Sequence, residues 1–174
     1  MQVLVRCRLR RVSLRGRLLE RLAQRILQAT GESRAELSLE LIGDRRMRRL
    51  NRVYRGVDAP TDVLSFPMRT PTPPLPITHR IRRAMGTRRG RVREGAQGGP
   101  LLGDIVISLP TAARQAKGDG YSLDHELVRL LIHGILHLCG YDHERGAREA
   151  RRMRAKELAV LRSLGPIPKL VKQS

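Results

Sequence analysis

Three histidines, His133, His137 and His143, stand in the order H-x-x-x-H-x-x-G-x-x-H, and no other feature of the chain restricts its local fold so closely. Residues four apart on a helix share one face, so His133 and His137 present two imidazoles together only if the chain is helical there. The third can join them only if that helix ends abruptly. Gly140 is placed to end it, because glycine takes the left-handed conformation of a helix C-terminus without a Cβ penalty. The apolar run before the histidines predicts a helix over 123–138, with Ser122 as N-cap and Asp124 and Glu126 in its first turn.

This is the ligand spacing of the metzincin zinc peptidases. Three neutral imidazoles leave a fourth tetrahedral position open, which marks a catalytic rather than a structural zinc. One position departs. Where those peptidases carry the Glu that takes a proton from the metal-bound water, this chain has Gly134. A bound water would have to act through its own lowered pKa of about 7 or with another group's help. Asp142 either orients an imidazole, as outer carboxylates do, or caps the turn. Cys139 reads as a small buried hydrophobe, since a thiolate there would close the site. His125, between two acids, reads as a surface residue, and His79 as uninformative.

Charge narrows the substrate. Lys and Arg number 35 against 16 Asp and Glu, a formal net charge of +19, which favours a polyanion partner. Aromatics at 2% argue against domains that stack bases on exposed rings, so nucleic acid would be held mainly through its backbone. Cys7 and Cys139 are too few for a disulfide framework, and no apolar run approaches a membrane span. A soluble cytoplasmic protein is expected.

The remaining pattern is that of one α/β domain over 1–174. Alternation predicts strands over 3–10, 37–41, 62–66 and 104–108. Helical spacing predicts helices over 17–30, closed by Gly31, then from Asp44 as N-cap with Met47, Leu50 and Tyr54 on the apolar side, and over 110–117 and 146–164. Between the last two strands lies a Pro- and Gly-rich insertion, about 69–100, with eight Arg and no acid from Arg69 to Arg93. A structureless stretch of that length reads as a mobile functional loop or a disordered insertion.

Arg55, at a helix end beside Gly56, is either a solvated charge paired with the helix dipole or a bidentate clamp for a phosphate. The blocks Leu50–Pro67, Leu102–Ser108 (LGDIVIS) and His133–His143 (HGILHLCGYDH) together resemble the YbeY endoribonucleases, the rRNA maturation factors. The likeness covers about residues 50 to 144, and the flanking elements fit the same layout. It implies a small α/β (α+β) fold with a four-stranded mixed sheet and about five helices, and one zinc ion held by His133, His137 and His143. It further implies cytoplasmic, metal-dependent cleavage of single-stranded RNA, acting at the small-subunit rRNA 3′ end and in ribosome quality control.

The family's functional arginine matches Arg55. The implied partners are rRNA and the small ribosomal subunit, with no membrane and no nucleotide cofactor. Arg52 and, in the insertion, Arg82, Arg83, Arg88 and Arg89 are candidate contacts to the RNA backbone. Val57 and Ala59 stand where members often carry lysines, so the rim beside Arg55 is less basic than usual. Two rivals share parts of the pattern. A zinc peptidase-like hydrolase would lack its Glu, and a non-catalytic ribosome-assembly factor with a structural zinc would need a fourth protein ligand.

Overall fold

The computed structural model describes residues 2–9, 12–68 and 99–172. Four strands, β1 (Gln2–Cys7), β3 (Glu36–Ile42), β4 (Val63–Pro67) and β5 (Leu101–Ser108), form one sheet in the order β1-β3-β5-β4. The first three in that order run parallel, and β4 lies antiparallel to β5 at the edge. The mixed four-stranded sheet implied by the resemblance is therefore present. A second pairing, β2 (Ser13–Leu14) with β6 (Val171–Lys172), is too short to leave a periodic trace in the sequence.

Five helices are present among the described residues: α1 (Gly16–Ala29), α2 (Asp44–Arg55), α3 (Leu109–Asp119), α4 (Leu123–Leu138) and α5 (Ala147–Leu164). Successive strand residues face opposite sides of a sheet, and the two sides are used differently. Leu37, Leu39 and Leu41 of β3, with Ile105 and Ile107 of β5, join the main core with the buried residues of α1, α3, α4 and α5. Ile42, Leu64, Phe66 and Val106 face the other way, where Met47, Leu50 and Tyr54 of α2 cover them. The two halves of the histidine-and-arginine pattern thus sit on helices from opposite sides of the sheet.

Two local details set how close the layers come. Gly103 has φ +156°, and a Cβ there would stand 2.3 Å from the carbonyl oxygen of Phe66. The LGDI block therefore needs glycine where β5 meets β4. At the start of α2 the expected cap is displaced by one residue. Gly43 occupies the N-cap with no side-chain bond, and Asp44 is the first helical residue. Its carboxylate faces the start of α3 instead, accepting from Ser108 Oγ (2.6 Å) and Thr111 Oγ1 (2.8 Å) and pairing with Arg114 (2.8 Å). Partial burial works to raise its pKa, but these hydrogen bonds and the Arg114 charge outweigh it and hold the carboxyl below its ordinary value. A carboxylate with three donors from another element is better satisfied there than by capping its own helix.

The insertion lies outside the described residues for nearly its whole length, and with it His79, Arg82, Arg83, Arg88 and Arg89.

Candidate metal centre and cleft

Helix α4 is buried almost all round, with Leu127, Val128, Leu131, Ile135 and Leu136 each fully enclosed. At roughly 1.5–3 kcal/mol per buried Leu or Ile, this helix is fixed by the core rather than by its own propensity. Ser122 caps it, accepting from the backbone N–H of His125 at 3.1 Å. Gly134 lies on its inward face. A Cβ at that position would come within 3.0 Å of both Ser65 Oγ and Ile105 Cδ1, so the helix rests against β4 and β5 at a glycine. The absent peptidase glutamate is therefore also a carboxylate for which the packing has no room.

The same side of α4 that escapes the core carries His133 and His137. Their Nε2 atoms are 3.0 Å apart. After Leu138 the helix closes as its spacing predicts: Gly140 has φ +88°, and the N–H of Tyr141 donates back to the carbonyl of Leu136 at 3.0 Å. The returning chain brings in His143, whose ring centroid lies 5.3 Å from that of His133 and 5.1 Å from that of His137. One donor nitrogen from each of the three falls within 4.8 Å of the others. Ligand nitrogens about 2.0–2.1 Å from a tetrahedral zinc stand a little over 3 Å apart, so only small ring movements separate this cluster from a coordination set.

A carboxylate that sequence reasoning missed supports the fit. Glu157 of α5 accepts a hydrogen bond from His133 Nδ1 at 2.6 Å. That bond places the ring proton on Nδ1 and leaves the Nε2 lone pair facing its neighbours, as outer carboxylates do for metal-binding histidines. Glu157 lies 24 residues beyond His133, on another helix, and no local spacing could have signalled it. Asp142 takes the capping role of its two alternatives, accepting from the N–H of Glu144 (2.9 Å) and from Arg145 Nε (3.0 Å). These bonds, the Glu144 N–H foremost, hold its pKa low. The His137 imidazole is shifted down, first by burial and then by the positive charge its two histidine neighbours would carry. It is biased towards the neutral form that can bind a metal.

Cys139 packs against the main core as a partly buried side chain, in keeping with its reading as a small hydrophobe. His125 is half-buried and stacked on Tyr121, ring centroids 4.6 Å apart. It is less of a surface residue than expected, and it is not among the three whose donor atoms converge.

Arg55 faces the cluster from the opposite wall. A cleft of about 820 Å³ runs along β4, with Tyr54 and Arg55 at one side and the three histidines and the turn 140–145 at the other. Several polar contacts fix the Arg55 end. Gly56 closes α2 at φ +72°, Asn51 Nδ2 donates to the carbonyl of Ala59 at 2.8 Å, and Arg48 makes a two-bond pair with Asp58 (2.9 and 2.7 Å). The hydrogen bond from Arg48 is the largest cause of a lowered Asp58 pKa. Arg55 itself spans the cleft to Glu144 at 3.2 Å, both side chains more than half exposed. Arg52, one turn earlier, is exposed and only 3.9 Å from Asp58, outside the residues that line the cleft. No helix of the described residues is long and apolar enough to cross a membrane.

A family model described as Endoribonuclease YbeY matches residues 5–165. Among similar proteins, one of that name from Anaeromyxobacter sp. (strain Fw109-5) is 46% identical over 150 residues, 86% of this chain and 65% of its own. Another from Aquifex aeolicus (strain VF5) is 41% identical over 163 residues, 94% of this chain and 91% of its own. The chain thus spans about two thirds of the first relative and most of the second. A solution structure from Thermotoga maritima is similar in fold, with a TM-score of 0.56 and 22% identity over 94% of this chain and 89% of that one.

Proposed function

Because the chain belongs to the YbeY endoribonuclease family, we propose that it is a cytoplasmic, metal-dependent endoribonuclease that cleaves single-stranded rRNA in ribosome maturation. Its substrate region is the small-subunit rRNA 3′ end, its partner the small ribosomal subunit, and the activity also serves ribosome quality control. The observation that carries this reading is the convergence of three imidazoles opposite Arg55 across one cleft.

His133, His137 and His143 would hold one zinc ion, to which an all-imidazole set is suited. When bound, that ion supplies Lewis-acid polarisation of a phosphoryl oxygen and a water acidified to a pKa of about 7. The chain's own residues do the rest. Glu157 keeps His133 in the tautomer that offers Nε2. Arg55 binds the scissile phosphate with its planar fork and offsets the charge that develops there. An incoming phosphate competes with Glu144 for that guanidinium, so substrate entry and release of the Arg55–Glu144 pair are one event.

Two features weigh against the rivals. The packing of Gly134 on Ser65 and Ile105 removes the position from which a peptidase base would act. Among the described residues no fourth His, Cys, Asp or Glu joins the cluster, as a closed structural zinc would require.

The test is cleavage of a single-stranded RNA by zinc-loaded protein, with a chelator control and with His137→Ala and Arg55→Ala. The chelator and His137→Ala should each reduce the rate by on the order of 10³ or more, and Arg55→Ala by about 10²–10³. Rates unchanged by all three would remove the enzyme reading, and casein hydrolysis in a parallel assay would favour the peptidase.

A further inference from the structure

A second hollow, about 440 Å³, lies between α4 and α5 and shares with the cleft only His133 and His143. Its floor is apolar. Ile132 and Met153 are each 1% exposed, and Leu158 stands at its lip at 48% exposure, too accessible for a helix residue whose role is core packing alone. Two cations line it, Arg129 and Arg154. Arg129 is held in place, giving Nε and Nη2 to Glu126 at 2.9 and 3.0 Å, and Glu126 is itself fully buried. Arg154 has no acidic partner among the described residues. The one carboxylate in the lining, Glu157, is engaged by His133.

An apolar floor beside two arginines, opening next to a phosphodiester-cleaving centre, matches the two halves of a nucleotide. The distribution of rings in the molecule sharpens the match. Of the four Tyr and Phe residues in the chain, Tyr54 and Phe66 pack on each other, Tyr121 stacks on His125, and Tyr141 lies under Arg152. None of these four rings lines the α4–α5 hollow, so a base there has, besides the two imidazoles, only aliphatic carbon and guanidinium planes to lie on, and guanidinium planes also stack bases. Resting on the endoribonuclease reading, we propose that the α4–α5 hollow is a nucleotide subsite. It receives the base of a nucleotide beside the cleaved bond against Leu158 and Leu161, over the buried Ile132 and Met153, while Arg154 takes a neighbouring phosphate.

The experiment uses the zinc-loaded full chain and a short oligouridylate. Ala150→Met fills the hollow from a half-buried lining position, and Arg154→Ala removes an exposed charge without touching the core. Each should raise KM by about tenfold, with kcat within about threefold of the parent. One abasic nucleotide next to the cleaved bond should raise KM for the parent by a similar factor and have no further effect on Ala150→Met. With metal chelated, 4-thiouridine in the same RNA should crosslink to peptides of α5. Parental KM in both variants, together with crosslinks confined to other elements, would overturn the subsite while leaving the endoribonuclease intact. A parent chain that neither binds nor cleaves the RNA would overturn both readings.

Discussion

The two walls of the cleft are built on different physics. The histidine wall belongs to α4, whose apolar residues are enclosed on nearly every side and whose closest approach to the sheet is set by a glycine. The arginine wall belongs to the end of α2, whose surface carries Arg45, Arg46, Arg48, Arg49 and Arg52 and which, beyond the apolar seat of Met47 and Leu50, is held by polar contacts made by Asp44, Asn51 and Asp58. Interiors are close-packed and transmit strain, whereas exposed ion pairs are individually weak and screened by salt. The contrast suits the tasks. The metal site proposed for the histidines would need donor atoms held to fractions of an ångström, while an arginine proposed to accept a mobile phosphate would gain from a mount that can adjust.

The strongest way to break the contrast is to overfill the rigid wall. Gly134→Glu restores the peptidase residue by name but drives a carboxylate into Ser65 and Ile105. Overpacking costs about 1–3 kcal/mol and an unpaired buried carboxyl several more, so the expected outcome is a chain that fails to fold or melts far lower, with no peptidase activity. Gly134→Ala tests the same contact more gently. Overpacking of about 1–3 kcal/mol is offset by the roughly 1 kcal/mol that alanine gains over glycine in a helix, so a net drop of up to about 2 kcal/mol by denaturant unfolding is expected, and a stabilised chain would show that the wall is less closely packed than its distances imply. Next in size, Glu157→Gln leaves the packing and removes the carboxylate charge behind His133. Zinc affinity should fall about 10–100-fold by competition with a chromophoric chelator, with the fold preserved.

Much of the histidine wall was legible because its determinants are local. A three-residue ligand pattern, a glycine turn and an apolar run lie within 123–143, and the helix, its cap and its end fall where periodicity and capping place them. The arginine wall was legible only as a motif. Nothing in Leu50–Pro67 shows that α2 covers the opposite side of the sheet, since that follows from which face of β4 and β5 each helix takes. Asp44 misled for a related reason: as a cap its role is local, but its partners Ser108 and Thr111 come from sequence far away. Glu157 and Glu144 were invisible because a carboxylate on a charged helix or turn carries no mark until the tertiary fold gives it a neighbour.

On the adjustable wall the effects should be smaller. Asn51→Ala removes the bond to the Ala59 carbonyl from a residue 5% exposed. A loss of about 1–2 kcal/mol is expected, with RNA cleavage reduced more than zinc binding. Acid protonates the carboxyls that hold this wall, and also His137 and Asp142 beside the other, but α4 itself is held by apolar burial that does not titrate. Asp44 and Asp58 both have folded pKa values below their ordinary 3.8, so their contribution is complete above that value and is lost as pH falls through the lower folded values. Amide exchange measured from pH 5 downwards should show α2 losing protection before α4, and simultaneous loss would mean that the two walls unfold as one.

The smallest effect should come from Glu144→Gln, and its sign is the informative part. If the Arg55–Glu144 pair served mainly to hold the cleft together, removing it would lower stability and activity alike. If Glu144 instead occupies a guanidinium that the RNA phosphate must take over, its removal frees Arg55 and also deletes a negative charge from the phosphate's path. Exposed pairs are worth about 0.2–1 kcal/mol, so RNA affinity should rise by about two- to fivefold with an unchanged melting temperature. The gain should shrink as salt is added, because screening already weakens the exposed pair in the parent chain. A loss of affinity would instead make Glu144 a positioning partner of Arg55 and place both walls under rigid control.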